Sequence, residues 1–354
     1  MKNHKKMKTI VSVLIKGGIT GIIAFGFVPF LFTYESSNLL ILLIRLIEGL
    51  IIGILFGLAE NIIFTNRLKK LPFSSLLIIR TIVYSIIWFC GAMIMLLILL
   101  YYGGLSISDF GSQKFLDYIT DIHPQLGLIP AVFISFIISY LWQINSMLGR
   151  GVLLKYIRGN YHKPVSEDRI FMFLDLSSAT TIAEKLGAQK YSQFLKDFFY
   201  DIDEVITDTK GEIFQYEGDG IIILWTVNNG TNNNNCIELF FKAKEKLNGL
   251  KEDYFKKYGL SPEYKAGLHF GEVVITEIGD LKKEIAYHGD AINTTARICS
   301  SCNEVKRKLL ISSELFQKLK LKNNYAIESM GEFKLKGKEK VVTLFSVDVQ
   351  NDIR

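Results

Sequence analysis

The chain has 354 residues, with 41 Lys and Arg against 35 Asp and Glu for a net charge of +6. That length allows roughly two domains. The basic residues gather at the ends of apolar stretches and form no single patch, which excludes a nucleic-acid-binding protein, and four cysteines suit a reducing compartment.

Ile, Leu, Phe and Gly dominate up to about residue 148, and an ordinary charged globular sequence begins at about residue 160. Four early stretches, Thr9–Thr33, Leu39–Thr65, Ser75–Tyr101 and Leu126–Leu148, are long and apolar enough to cross about 30 Å of hydrocarbon as helices. The first is too long for a signal peptide and has no small-residue cleavage site. Lys2, Lys5, Lys6 and Lys8 precede it; Arg67, Lys69 and Lys70 separate the second and third; Arg150, Lys155, Arg158 and Lys163 come after the fourth. By the positive-inside rule both termini are cytoplasmic, in a multi-pass protein of the inner membrane in contact with its lipid. Arg45 and Glu48 are spaced to pair on one helix face, while Glu60, Lys16 and Arg80 lie near enough to span ends to snorkel. Gly49, Gly53 and Gly57 form a smooth stripe, read as packing inside the bundle in preference to a dimer seam. A connector over 149–168, broken at Gly159 and Pro164, leads to a cytosolic domain over 169–348 and a tail over 349–354.

The domain opens on RIFMFLDLSSATTIAEKLG. Ile170–Leu174 predicts a strand covered on both faces and ended by Asp175. Ser177, Ser178, Thr180 and Thr181 are N-cap candidates for a helix with apolar positions at Ile182, Leu186, Tyr191, Phe194, Leu195 and Phe198. An acid at a strand end, with a helix N-terminus immediately after it, suits a cation on the carboxylate and phosphate oxygens on free N–H groups. Taken alone, Asp175 is equally a helix cap. GEIFQYEGDGIIILW predicts a hairpin of Ile213–Tyr216 and Ile221–Trp225, with Gly218 and Gly220 permitting the turn that lifts out Asp219. Laid beside the strand ending in Asp175, it brings together two carboxylates that repel unless a divalent cation lies between them. NNGTNNNN (Asn228–Asn235) reads as a flexible polar loop, His269 as a core histidine, and Cys299-Ser-Ser-Cys302, without a second pair, as incidental.

Taken in order, FLDLSSATTI, YEGDG, KAGLHFGEVVITEIGD, HGDAINTTARI and FKLKGKEKVVTLFSV resemble the motifs of class III nucleotidyl cyclases, the adenylyl and guanylyl cyclases, over about Arg169–Val347. The resemblance implies an α+β catalytic domain with a ferredoxin-like βαββαβ core, here behind an all-α four-helix transmembrane bundle. It implies two Mg²⁺ or Mn²⁺ ions per site on Asp175, Leu176 and Asp219. It places Asn293 on the ribose, Arg297 on the α-phosphate, and Lys336, or Lys338, on the terminal phosphates. Ser178 and Thr180 fall in its phosphate-binding stretch, and Gln215 and Ala286 stand at its base-selecting positions. A homodimer with shared sites is implied as well, metal ligands coming from one subunit and the Asn/Arg pair from the other. Asn293 and Arg297 are four apart, so on a helix they share a face.

Three positions depart from the family: Ala179 stands where many relatives carry an aromatic residue, and the other two select the base. Adenylyl cyclases often carry Lys with Asp or Thr where this chain has Gln215 and Ala286, and guanylyl cyclases carry Glu with Cys. Gln215 offers a donor and an acceptor to either purine, and Ala286 only its backbone, so that Tyr287 or His288 can take part. The expected reaction is ATP to cyclic AMP and pyrophosphate. GTP is the alternative substrate, and a catalytically silent nucleotide-binding or dimerising module is the alternative outside enzymes.

Overall fold

A computed structural model describes residues 39–64, 68, 71–102, 112–113, 128–149, 152–321, 324–335 and 341–350. The chain divides between Leu148 and Gly149 into two compact units.

The N-terminal unit contains helices α1 (Leu39–Ile62), α2 (Phe73–Tyr102) and α3 (Leu128–Leu148). They coincide with the second, third and fourth expected spans; the first, Thr9–Thr33, lies outside the described residues. Among the described residues one stretch, Phe73–Gly91, is long and apolar enough to cross a membrane, and Gly49–Glu60 and Val132–Asn145 are shorter apolar helical stretches. Gly49, Gly53 and Gly57 are all buried within the unit, as packing inside a bundle requires. The expected snorkelling of Glu60 and Arg80 is corrected. Arg80 is only 5% exposed; its Nε lies 3.0 Å from Glu60 Oε1, it donates to Gln143 Oε1 at 2.5 Å, and Tyr84 donates to Glu60 at 2.7 Å. An arginine among apolar helices is cheapest when its charge is paired, and facing helices supply Glu60 and Gln143 to its two terminal nitrogens, while the buried Nε makes no hydrogen bond of its own. The side chains of Lys16, Arg45 and Glu48 lie outside the described residues.

The second unit is built on one sheet. Its strands are β1 (Val165–Leu176), β2 (Glu212–Glu217), β3 (Gly220–Thr226), β4 (Tyr264–Ile278), β5 (Glu284–His288), β6 (Leu309–Ser312), β7 (Tyr325–Phe333) and β8 (Val342–Val349). The order is β2-β3-β1-β4-β6-β8-β7, with β5 paired to the far end of β4. β1 is antiparallel to both β3 and β4, and β6 runs parallel to β4. The first four strands with their helices thus form the split βαββαβ arrangement expected of the core. Helices α4 (Val152–Ile157), α5 (Ala179–Leu186), α6 (Ala188–Asp208), α7 (Asn235–Gly249), α8 (Lys251–Tyr258) and α9 (Asp290–Glu304) complete the unit, with short helical turns at Val227–Thr231 and Ser313–Phe316.

Strand β1 is covered on both faces, as its apolar run predicts. Ile170, Met172, Leu174 and Leu176 alternate onto one core with Phe194, Phe198, Trp225 and Ile237. Phe171 faces the other way, with Ile222, Leu224, Val273 and Ala291. The single helix expected after Ser177 is broken at Gly187, whose φ of 72° separates α5 from α6. The Asn228–Asn235 stretch is not the flexible loop expected: it is a helical turn joined to a 3₁₀ turn over Asn232–Asn234. Its asparagines act on nearby backbone, Asn235 Nδ2 donating to Asn229 O at 2.8 Å. The sheet also begins earlier than Arg169, because the connector docks through a Glu277 N–H to Tyr161 O bond of 2.8 Å and β1 starts at Val165.

Candidate active site

Strand register carries the two acids to one end of the sheet. Asp175 pairs with Gly220 across β1 and β3, and the Leu176 N–H donates to the Asp219 carbonyl at 3.3 Å. Both turn glycines are needed. Gly218 has φ of 62°, and a Cβ on Gly220 would lie 3.0 Å from the Phe173 ring. The tight turn therefore presses Asp219 toward the end of β1. Burial raises the Asp175 carboxyl above its ordinary range, and the neighbouring Asp219 charge raises it further. The phenol of Tyr191 on α6 is pushed up by burial and then by the charges of Asp219 and Asp175. The expected convergence is found.

Lys265, the register partner of Asp175 on β4, supplies a counter-charge 3.3 Å from Asp175 Oδ2. It lowers the carboxyl without cancelling the effects that raise it. Among the described residues no cluster of three or more His, Cys, Asp or Glu could hold a metal. The donors available are two carboxylates and the backbone oxygen of Leu176, whose side chain is buried in the core. All-oxygen donors with unbalanced negative charge fit a hard divalent cation such as Mg²⁺ or Mn²⁺ and do not fit a thiophilic metal.

An anion-binding edge adjoins the acids. Ser178 occupies the N-cap position of α5 with φ of 58°, but its side chain makes no capping bond, contrary to the role expected for it. Ser178 and Thr180 are exposed, and the first N–H groups of α5 are left without a side-chain acceptor. A cleft of about 260 Å³ opens beside them, lined by Ser177, Lys265, Cys302, Lys306, Arg307 and Lys308. Lys308 Nζ reaches Ser177 Oγ at 3.4 Å. Lys336 and Lys338 lie outside the described residues.

One chain does not bring Asn293 and Arg297 to the acids. Helix α9 buries Ala291, Thr294, Thr295, Ile298, Cys299 and Cys302. It can approach β4 this closely only because a Cβ on Gly267 would lie 2.3 Å from the Cys299 nitrogen. Helical periodicity then turns exposed Asn293 and half-exposed Arg297 to the opposite face. Gln215 is exposed on β2 opposite Ile222, and Ala286 is half-buried on β5 opposite Thr276. The Tyr287 ring packs against Phe171 and Phe214. His269 is a satisfied core residue, its Nδ1 2.8 Å from Ser312 Oγ. Cys299 and Cys302 are buried and unbridged against β4. Tyr191, Lys265 and Lys308 were not singled out from sequence. Tyr191 reads as a helix core position and the two lysines as ordinary cations until register sets Lys265 against Asp175 and folding sets Lys308 beside Ser177.

Residues 162–347 match the family described as Adenylate and Guanylate cyclase catalytic domain. Adenylate cyclase 2 of Rhizobium meliloti (strain 1021) is 33% identical over 220 residues, 62% of this chain and 61% of that protein. Receptor-type guanylate cyclase gcy-7 of Caenorhabditis elegans is 26% identical over 198 residues, 54% of this chain and 17% of that one. A bacterial light-regulated adenylyl cyclase structure superposes with a TM-score of 0.53 at 18% identity, covering 64% of this chain and 66% of that one, a likeness of fold alone. The chain spans less than two thirds of the length of each.

Proposed function

Because the chain belongs to the adenylate and guanylate cyclase catalytic-domain family, we propose that it converts ATP to 3′,5′-cyclic AMP and pyrophosphate. The observation that carries this reading is the meeting of Asp175 and Asp219 at the end of β1, close enough for one to raise the other's carboxyl. Asp175 and Asp219 would hold divalent cations, which when bound would supply Lewis-acid activation of the ribose 3′-hydroxyl and offset charge on the leaving pyrophosphate.

The chain's own groups do the rest by position and charge, with no protein nucleophile. Asp175 and Asp219 hold the positive charge against the phosphates. The free N–H groups at the start of α5 donate to phosphate oxygens, and Lys265, released from Asp175, turns its ammonium toward them. Asn293 and Arg297 face outward from α9, so a second copy must present them: Asn293 to orient the ribose, Arg297 to stabilise charge growing on the α-phosphate. We therefore read the active form as a homodimer with two shared sites. Lys336, or Lys338, is proposed for the terminal phosphates. Gln215, exposed beside the hairpin, is the side chain best placed to meet the base. Its amide can pair with adenine or guanine, so GTP is the second reading.

The N-terminal unit is proposed as a four-helix membrane anchor with the catalytic unit in the cytoplasm. The apolar stretch Phe73–Gly91 supports this, together with outward-facing Ile78, Ile82, Ile86, Phe133 and Ile137. The test is a product assay on the full chain in lipid nanodiscs, with Mn²⁺ and either ATP or GTP. Cyclic AMP with stoichiometric pyrophosphate is expected from ATP. Turnover of GTP alone would correct the base, and turnover of neither would overturn the reading.

A further inference from the structure

We infer that the catalytic unit carries a second ligand site, far from the carboxylates, built on the Asn232–Asn234 turn and shaped for a small hydroxylated anion. Strand β3 runs from Gly220, opposite Asp175, to Thr226, opposite Arg169. The turn just beyond Thr226 therefore lies roughly 20 Å from the acids, at about 3.3 Å per strand residue. There a cavity of about 530 Å³ is lined by Asn233, Asn234, Glu238, Lys318, Lys320 and Tyr325. It lies within the size range of small-molecule sites, about 300–1,000 Å³.

Three features give the cavity its chemistry. Asn234 is only 8% exposed. Its Nδ2 donates to Lys320 O at 3.1 Å, yet its buried Oδ1 has no hydrogen-bond partner. A buried carbonyl oxygen left without a donor costs about 1–3 kcal/mol, so the site asks for an incoming O–H or N–H. Second, Asn233 and Asn234 are successive left-handed residues, with φ of 55° and 53°. Even asparagine adopts that conformation at some cost, and here surrounding contacts hold two in a row.

The third feature is charge. Glu238 is already engaged, accepting from Tyr325 at 2.5 Å and pairing with Lys242 at 2.7 Å. Among the described residues, Lys318 and Lys320 have no carboxylate partner; Lys318 rests over the Phe270 ring at 5.0 Å. Two ammonium groups call for an anion, and Asn234 Oδ1 calls for a hydroxyl or amide donor on the same molecule. Neither charge alone nor a neutral sugar alone satisfies both.

The test is calorimetric titration of the full chain in nanodiscs with ribose 5-phosphate, gluconate, inorganic phosphate and ribose as probes. At least one of the two hydroxylated anions is expected to bind saturably, about tenfold or more tighter than phosphate or ribose. Because Lys318 and Lys320 are exposed, the double variant Lys318→Ala/Lys320→Ala should fold normally and weaken that binding about tenfold or more. Asp219→Ala should leave it unchanged. The inference is overturned if neither hydroxylated anion binds, if phosphate binds equally well, if the lysine variant binds undiminished, or if Asp219→Ala abolishes binding.

Discussion

If the outward face of α9 completes the site of a second copy, two dead variants must rescue each other. Asp219→Ala removes one of the two acids at the end of β1, and Arg297→Ala removes a cation on the opposite face of a helix whose buried side is fixed against β4. Each variant alone should lose turnover by about 10²–10³-fold or more, the usual cost of removing one group that stabilises transition-state charge. In an equal mixture, random pairing makes about half of the dimers mixed. A mixed dimer keeps one intact site, formed by the acids of one chain and the Asn/Arg pair of the other. Its second site carries both lesions. The mixture should therefore regain roughly one quarter of the parent's activity per chain. The assay is cyclic nucleotide formation after co-reconstitution in nanodiscs, with dimer formation checked by cross-linking. Absence of recovery in cross-linked mixed dimers would refute the shared site, as would full activity of Arg297→Ala alone.

Four further outcomes are expected. Burial, partly offset by Lys246, pushes the Asp203 carboxyl up to about 6, and its Oδ1 is buried without a hydrogen-bond partner. A raised folded-state value means that stability is complete below about pH 4 and is lost as pH rises through about 6. Asp203→Asn should therefore raise stability above pH 6 by about 3 kcal/mol and leave it unchanged below pH 4; superimposable pH–melting profiles would count against this. Gly267→Ala, with its Cβ 2.3 Å from the Cys299 nitrogen, should cost more than about 2 kcal/mol in thermal unfolding, whereas Gly249→Ala, with nothing within 4 Å, should not destabilise. Glu60→Leu strands buried Arg80 and should lower stability of the N-terminal unit by about 3–5 kcal/mol, much of it regained in Glu60→Leu/Arg80→Leu. Lys265→Met removes the charge that lowers the Asp175 carboxyl, so the acid limb of Mn²⁺ binding, tracked by electron paramagnetic resonance, should move to higher pH; an unmoved limb would mean that Asp175 is not a ligand.

Local pattern made much of the fold legible. The run Ile170–Leu174, ended by an acid, gave a central strand, and the two glycines of YEGDG gave a tight hairpin turn, because such features depend only on neighbours in the chain. The features that stayed hidden depended on partners distant in sequence. Glu60 and Arg80 read as snorkelling residues one at a time, and only the packing of α1 on α2 makes them a pair. Lys265 read as an ordinary strand residue until antiparallel register set it against Asp175. The asparagine tract failed for another reason. Low complexity suggested disorder, but these short amides bond to the backbone and tolerate left-handed geometry, so they can build a fixed turn.

The same packing explains why the proposed site is incomplete within one chain. Gly267 lets α9 lie almost on β4, and that closeness buries one full stripe of the helix, from Ala291 to Cys302. Residues 293 and 297 fall at the opposite angle, and no rotation of the helix could turn them inward without exposing the stripe and driving Cys299 off the sheet. Asp175 meanwhile is held at the end of β1 by pairing on both sides. Neither half can move toward the other at low cost. A chain built this way gains nothing by closing on itself, and in the proposed homodimer another copy, offering its own α9, completes the charge pattern that the acids begin.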